Sequence, residues 1–408
     1  MSTAYVIVGA SLAGAKAAET LREEGFGGPI VLIGEETERP YERPPLSKDY
    51  LLSKAERETI YVHPAEWYAE HDVELRLGAT VTGVDPAAHE VTLADGSRIG
   101  YAKLLLATGS SPRRLPVPGA DSDGVHYLRR VDDSDRIRDA FAAASRVAVI
   151  GAGWIGLETT AAARLAGVEV TVLEAAELPL LRVLGREVAE VFAGLHRDHG
   201  VDLRFGVQVA EITESGGRAD GVRLADGSHI PAVAVIVGVR ITPNTQLAEA
   251  AGLEVGDGVV TDARLRSSDP DIYAAGDVAN AYHPLLGRHI RVEHWANALN
   301  QPQAAARAML GQDAAYDLVP YFFTDQYDLG MEYAGYVEPG RYDQVVFRGD
   351  VQRREFIAFW LGGGRVLAGM NVNVWEVNEA IQAIVRGGRA VDAARLADVD
   401  VSLEEFLG

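Results

Sequence analysis

Two stretches of this 408-residue chain repeat one hydrophobic pattern. Tyr5 to Val8 and Val147 to Ile150 are short, unbroken apolar runs, each followed by a glycine turn and an alanine-rich segment. Unbroken runs of this length suit parallel strands buried on both faces, and small side chains let a helix lie close upon them. Gly25 and Gly167 close the helical segments, where a left-handed backbone is needed. A second apolar run then ends in an acid, Glu35 in the first copy and Glu174 in the second. Gly9, Gly14 and Gly25 match Gly151, Gly156 and Gly167 in step, and only afterwards does the first copy insert a Gly27-Gly28-Pro29 turn. The pattern predicts two βαβ units, hence an α/β fold with two Rossmann-like dinucleotide-binding domains.

Other patterns fill in the remainder. "LLLATGSSP" (Leu104 to Pro112) reads as a buried strand ending in small residues, and "DPDIYAAGDVAN" puts Asp277 just after a strand and Gly276. "PYERPPLSKDYL" is a proline-stiffened loop presenting Arg43 and Lys48. Towards the C-terminus "GMEYAGYV", "QVVFRGD", "EFIAFWLG" and "VLAGMNVN" read as successive strands, and "VWEVNEAIQAIVRGG" as a helix closed by glycine. They predict a C-terminal α+β domain.

The glycine spacing carries chemistry. One glycine turns the chain out of the strand, a second admits a pyrophosphate to the backbone, and a third packs helix on sheet. Gly151, Gly153 and Gly156 fill all three places, and Glu174 and Glu35 stand where a carboxylate can hold ribose hydroxyls. In the first copy Ser11 replaces the middle glycine, and its small hydroxyl can still meet a phosphate oxygen.

Composition narrows the options. A 48% hydrophobic content supports real cores, and no run approaches the roughly twenty apolar residues of a membrane helix, so a cytoplasmic protein is expected. A net charge of −21 argues against nucleic acid and anionic membranes as partners. The absence of cysteine excludes a disulfide shuttle, thiolate-bound iron–sulfur clusters and covalent haem. His196 and His199 stand before Gly200 at a helix end, where they are expected to meet the C-terminal dipole; no third metal ligand is evident. No metal is expected.

The ordered set "VIVGASLAG", "RPPLSK", "LLLATGSSPR", "VIGAGWIGLE", "TPNT", "IYAAGD" and "EHWANA" resembles the ferredoxin reductases of oxygenase systems, from about residue 4 to the C-terminus. The resemblance implies an FAD domain (1–112 and 242–320) interrupted by an NAD domain (113–241), then a cap (321–408). It implies FAD contacts at Gly9, Ser11, Leu12, Ala13, Gly14, Glu35, Arg43, Lys48, Val81, Thr108, Gly109, Arg129, Asp277 and Trp295. Nicotinamide nucleotide contacts are implied at Gly151, Gly153, Trp154, Ile155, Gly156, Glu158, Glu174, Arg182 and Gly238. Read alone, Lys48 is a solvated loop residue. The resemblance instead sets it beside the flavin's reactive nitrogen, paired with Glu158, where a cation would stabilise reduced flavin.

Glu174 is followed by alanines, and a carboxylate that accepts from the NADH ribose would repel the 2′-phosphate of NADPH, so NADH is expected; Arg182 is the nearby cation that could soften this. The implied reaction is hydride transfer from NADH to FAD, then single-electron release to a [2Fe–2S] ferredoxin serving an oxygenase or cytochrome P450. The acceptor is the open point. Tyr321-Phe322-Phe323 stands where many relatives read "WFW", so a tryptophan role in electron exit does not carry over to Phe323. Trp295 and Trp360 read as either flavin-site or core residues. Arg113-Arg114, Arg307 and Arg353-Arg354 are candidates for a basic docking patch, or scattered surface charges. Two alternatives stay open: an NADH oxidoreductase with a small acceptor (rubredoxin, a quinone, a dye or monodehydroascorbate), and a slowly turning flavoprotein resembling apoptosis-inducing factor. Monomer and homodimer are both compatible with the sequence.

Overall fold

A computed structural model describes residues 4–407 and divides the chain into two compact units. The first comprises residues up to Glu42, Arg57–Ser111 and Ile241–Pro320; the second comprises Arg43–Glu56, Pro112–Arg240 and the chain from Tyr321 onward.

In the first unit the strands Ile272–Ala274, Lys103–Leu106, Tyr5–Val8, Ile30–Ile33 and Val73–Arg76 form one five-stranded parallel sheet in that order. Val6, Ile7, Leu32, Leu104 and Leu105 are essentially unexposed, as strands covered on both faces require. The helix Leu12–Glu23 turns Ala13, Gly14, Ala17 and Ala18 inward, and Gly25 (φ +82°) supplies the left-handed residue beyond its end. A short antiparallel sheet, Val81–Asp85, Glu90–Leu93 and Arg98–Gly100, lies in the same unit.

The second unit repeats the scheme. Asp202–Phe205, Glu169–Glu174, Arg146–Ile150, Ala234–Val237 and Val125–His126 form its parallel sheet, with the helix Trp154–Leu165 crossing from the second of the repeated strands to the next. Gly167 again takes φ +82°. The C-terminal part is a five-stranded antiparallel sheet in the order Tyr321–Gln326, Leu329–Gly335, Arg365–Val372, Glu355–Gly362, Gln344–Asp350. Its first strand is absent from the sequence reading, because Tyr321–Gln326 mixes aromatic, hydroxyl and amide side chains. The helix begins at Asn378, later than the quoted segment, since Glu376 adopts φ +62° and cannot continue an α-helical turn. One hydrophobic core joins the parallel sheet to this antiparallel sheet through Phe192, Leu184, Phe322, Met331, Phe356 and Trp360. Trp360 is wholly buried and its Nε1 donates to the Leu184 carbonyl at 3.0 Å, which makes it a core residue of this unit.

Candidate functional site

The two glycine turns are built alike. A Cβ at Gly9 would stand 2.1 Å from the Ala107 carbonyl oxygen, and one at Gly14 2.0 Å from that of Gly9. In the second copy a Cβ at Gly151 would lie 2.5 Å from the Gly238 oxygen and one at Gly156 2.0 Å from the Gly151 oxygen. These are backbone atoms that cannot swing aside, so the outer positions admit only glycine. The middle position differs: a Cβ at Gly153 meets nothing nearer than 3.9 Å. The protein leaves that direction open, which accounts for Ser11 at the matching place. Neither helix start, at Ser11 or at Gly153, is capped by a side chain. No side chain therefore competes for the first amide donors of either helix, as a pyrophosphate site requires. The residues fit a dinucleotide at both turns.

The acids after the repeated strands stand differently. Glu35 is exposed. Glu174 is half-buried, and its carboxylate accepts from the Ala152 N–H at 2.7 Å and from the Ala176 N–H at 2.8 Å. It thus clamps the second glycine turn while each oxygen keeps a lone pair for a ligand hydroxyl. Trp154, Ile155 and Gly238 border the same turn, and Ile155 is 41% exposed; Arg182 is exposed on the short helix Leu181–Leu184.

In the first unit the structure draws together three further sequence signals. Gly109 takes φ +65°, Thr108 donates to the Asn244 carbonyl at 2.8 Å, and the Asn244 amide returns a hydrogen bond to the Thr108 carbonyl at 2.8 Å. Ser110 donates to the buried Asp277 carboxylate at 2.7 Å. Gly276, with φ +81°, would place a Cβ 3.3 Å from the Ala13 methyl, so Asp277 stands next to the start of the first fingerprint helix. Val81 opens its strand half-buried, and Trp295 begins the helix Trp295–Met309.

In the second unit the proline-rich loop is pinned to the helix Val131–Ala143. Ser134 donates to the Leu46 carbonyl at 2.8 Å, Tyr50 to Asp135 at 2.8 Å, and Arg43 to the Arg129 carbonyl. This holds Lys48, whose Nζ lies 2.8 Å from Glu158 Oε2, with 15% and 4% of the two side chains exposed. Lys48 is therefore no solvated loop residue. Ser47 also donates to Oε2 and Thr324 donates to Oε1 at 2.6 Å. Burial pushes the nearby Asp325 carboxyl up, opposed by the Lys48 ammonium. The Lys48 Nζ stands 5.5 Å from the Phe323 ring centre, while Phe322 is buried and stacks on Tyr333 at 4.8 Å. Sequence reasoning passed over Ser47 and Thr324; the signal for Thr324 was a hydroxyl at an inward strand position.

One expectation changes. His196 does not meet the helix dipole: it is turned inward with no exposure, its Nε2 2.9 Å from Gln326 Oε1 and its Nδ1 3.1 Å from the Tyr327 hydroxyl. His199 does stay at the helix end, with Nδ1 2.8 Å from the Leu195 carbonyl. Of the arginines proposed for docking, Arg114, Arg307, Arg353 and Arg354 each pair with a carboxylate, which compensates their charge locally. Among the described residues no acid–histidine group could hold a metal, and no helix is long and apolar enough to cross a membrane.

Paired glycine turns, acids at the strand ends and a buried lysine–glutamate couple define a two-nucleotide oxidoreductase, and the chain belongs to the pyridine nucleotide-disulphide oxidoreductase family, which it matches over residues 3–302. Residues 321–407 match the reductase C-terminal family. The chain has no cysteine, so the disulphide of the family name has no counterpart in it. Among individual relatives it is 41% identical to the anthranilate 1,2-dioxygenase system ferredoxin–NAD(+) reductase component of Burkholderia cepacia, over 99% of each chain. It is 38% identical to putidaredoxin reductase CamA of Pseudomonas putida, over 98% of this chain and 96% of that one. The fold matches the reductase in a crystal structure of a covalent putidaredoxin reductase–putidaredoxin complex with a TM-score of 0.95 and 38% identity, covering 99% of this chain and 98% of that one. A ferredoxin reductase from Rhodopseudomonas palustris matches with a TM-score of 0.96 and 36% identity over the full length of both.

Proposed function

We propose that this chain is an NADH-dependent ferredoxin reductase that delivers electrons to a [2Fe–2S] ferredoxin serving an oxygenase or cytochrome P450. The net reaction converts NADH and two oxidised ferredoxins into NAD+, one proton and two reduced ferredoxins. The observation that carries the reading is near-complete coverage by relatives named as ferredoxin reductases, at 38–41% identity.

FAD, when bound, supplies the conversion between a two-electron donor and a one-electron acceptor. Residues proposed to hold it are the first glycine turn from Gly9 to Gly14, Glu35, Thr108, Gly109, Val81, Trp295 and Asp277, with Arg43, Lys48 and Arg129. The Ser110 hydroxyl holds the Asp277 carboxylate in one orientation, which supports a role for it in accepting from sugar or ribityl hydroxyls. Gly151, Gly153, Trp154, Ile155, Gly156 and Gly238 are proposed to receive NADH, with Glu174 on its ribose and Arg182 at the margin. In this proposal 1–112 with 242–320 serves FAD, 113–241 serves NADH and 321–408 is the cap. Lys48 and Glu158 are proposed as the catalytic pair: Lys48 would hold positive charge beside reduced flavin, and Glu158, also proposed to contact NADH, fixes its ammonium.

The test is anaerobic stopped-flow. The yellow protein is reduced with NADH and mixed with a small [2Fe–2S] ferredoxin. Reoxidation of the flavin at the rate of ferredoxin reduction is expected. Flavin reduction without transfer to ferredoxin, but with transfer to a quinone or dye, would refute the proposal in favour of a small acceptor.

A further inference from the structure

Behind the Glu158 carboxylate lies a line of buried polar side chains that begins at Thr324. Thr324 and Gln326 occupy alternate inward positions of the strand Tyr321–Gln326, and His196 projects from the helix Arg186–Asp198. None of the three is more than 1% exposed, and they lie within a core that contains Phe192, Phe322 and Leu329. Apolar side chains of similar size would fill the space without desolvating three polar groups.

The directions of the hydrogen bonds can be worked out. Gln326 Oε1 can only accept, so His196 Nε2, 2.9 Å away, carries the proton and donates. Burial pushes the imidazole down to about 4, so it is neutral near pH 7 and Nδ1 is left as an acceptor for the Tyr327 hydroxyl at 3.1 Å. The Gln326 amide then donates to Thr324 Oγ1 at 3.3 Å, and the Thr324 hydroxyl has its proton free for Glu158 Oε1 at 2.6 Å. All four bonds point one way, from Tyr327 to the carboxylate. Such chains strengthen each member by polarising the next.

We propose that His196 and Gln326 are positioning residues for the Lys48–Glu158 couple: the one-way chain from Tyr327 fixes the Thr324 proton on Glu158 and so holds the carboxylate in place to orient Lys48. The proposal rests on the reading that Lys48 serves the flavin. If His196 cannot donate, the Gln326 amide is free to turn its oxygen toward Thr324. The threonine proton is then drawn off Glu158, whose carboxylate keeps Ser47 at Oε2 but loses its anchor at Oε1 and orients Lys48 less firmly.

The test uses the FAD-loaded protein. His196→Phe removes both ring nitrogens, Gln326→Met removes the amide while keeping its length, and His196→Gln restores a donor near the place of Nε2. His196→Phe, which lets the Gln326 oxygen capture the Thr324 proton, is expected to slow flavin reduction by saturating NADH by about three- to tenfold, and Gln326→Met, which removes only the donor that polarises Thr324, by about two- to threefold. They should also move the flavin two-electron potential in the negative direction and leave the Kd for NADH unchanged. His196→Gln should recover the wild-type rate to within about twofold. Deletion variants with wild-type rate and potential would overturn the relay, as would a His196→Gln protein that is as slow as His196→Phe. Lys48→Met separates the two ideas. If it slows reduction while the deletions do not, only the relay fails; if it too is without effect, the assignment of Lys48 fails and the positioning role with it. Nitrogen-15 NMR of histidine-labelled protein gives a readout independent of turnover. A slowly exchanging Nε2–H on His196 is expected, and an Nδ1–H tautomer would refute the chain.

Discussion

Glu174→Ala probes cofactor choice, and the structure fixes what the change removes. One carboxylate oxygen accepts from the Ala152 N–H at 2.7 Å and the other from the Ala176 N–H at 2.8 Å. Ala152 is only 1% exposed, so its amide would be left buried without that acceptor, at a cost of about 1–3 kcal/mol in stability. In the proposed complex the ribose of NADH would lose two hydrogen bonds to a charged group. At about 1.5 kcal/mol each these amount to roughly a hundredfold in Kd, and partial exposure of Glu174 reduces the expectation to about ten- to a hundredfold. NADPH should change far less, because removing the carboxylate also removes its repulsion of the 2′-phosphate. The assay is anaerobic flavin reduction against NADH and NADPH concentration, with thermal unfolding followed on the same preparation. A narrowed ratio between the two cofactors supports the assignment. An unchanged ratio with a lowered unfolding temperature would refute it, and would leave Glu174 as a clamp on the glycine turn only.

Two further outcomes are expected. Burial holds His196 at about 4, against an ordinary value near 6.5, so between these values the unfolded chain binds the extra proton and stability falls as pH falls. The loss is about 2 kcal/mol at pH 5 relative to pH 7.5, and denaturant unfolding at both pH values should show His196→Gln losing that share of the slope; an undiminished slope would contradict a neutral buried imidazole. In the second glycine turn, Gly156→Ala sets a methyl 2.0 Å from a backbone oxygen whereas Gly153→Ala brings one no nearer than 3.9 Å to any. The first should therefore cost several kcal/mol in thermal unfolding and the second about 1 kcal/mol or less, while both weaken NADH binding; equal stability losses would mean that the turn has room at both places.

What the sequence made legible follows from how directly a residue's neighbours in the chain determine its surroundings. The two fingerprints were readable because a strand, a turn and a helix within about thirty residues create their own phosphate cradle. The glycine roles at Gly9, Gly14, Gly151 and Gly156 are enforced by backbone atoms of the turn itself or of the strand beside it. The cap strands were readable by apolar alternation, except the first. Tyr321–Gln326 carries Thr324 and Gln326 on its inward face, so its polar residues mask the period-two pattern. The same residues supply the hidden part of the site. Glu158, Thr324, Gln326 and His196 lie on three elements separated by up to 168 residues of chain (158 to 326), and only folding brings them together. A histidine four residues before a helix-ending glycine reads by local rules as a partner of the dipole. Packing of the antiparallel sheet against the helix Arg186–Asp198 overrides those rules and supplies an amide instead. Local cradles for common ligands are thus written in contiguous sequence, whereas the groups proposed to orient the Lys48–Glu158 couple are drawn from wherever the core happens to present a donor.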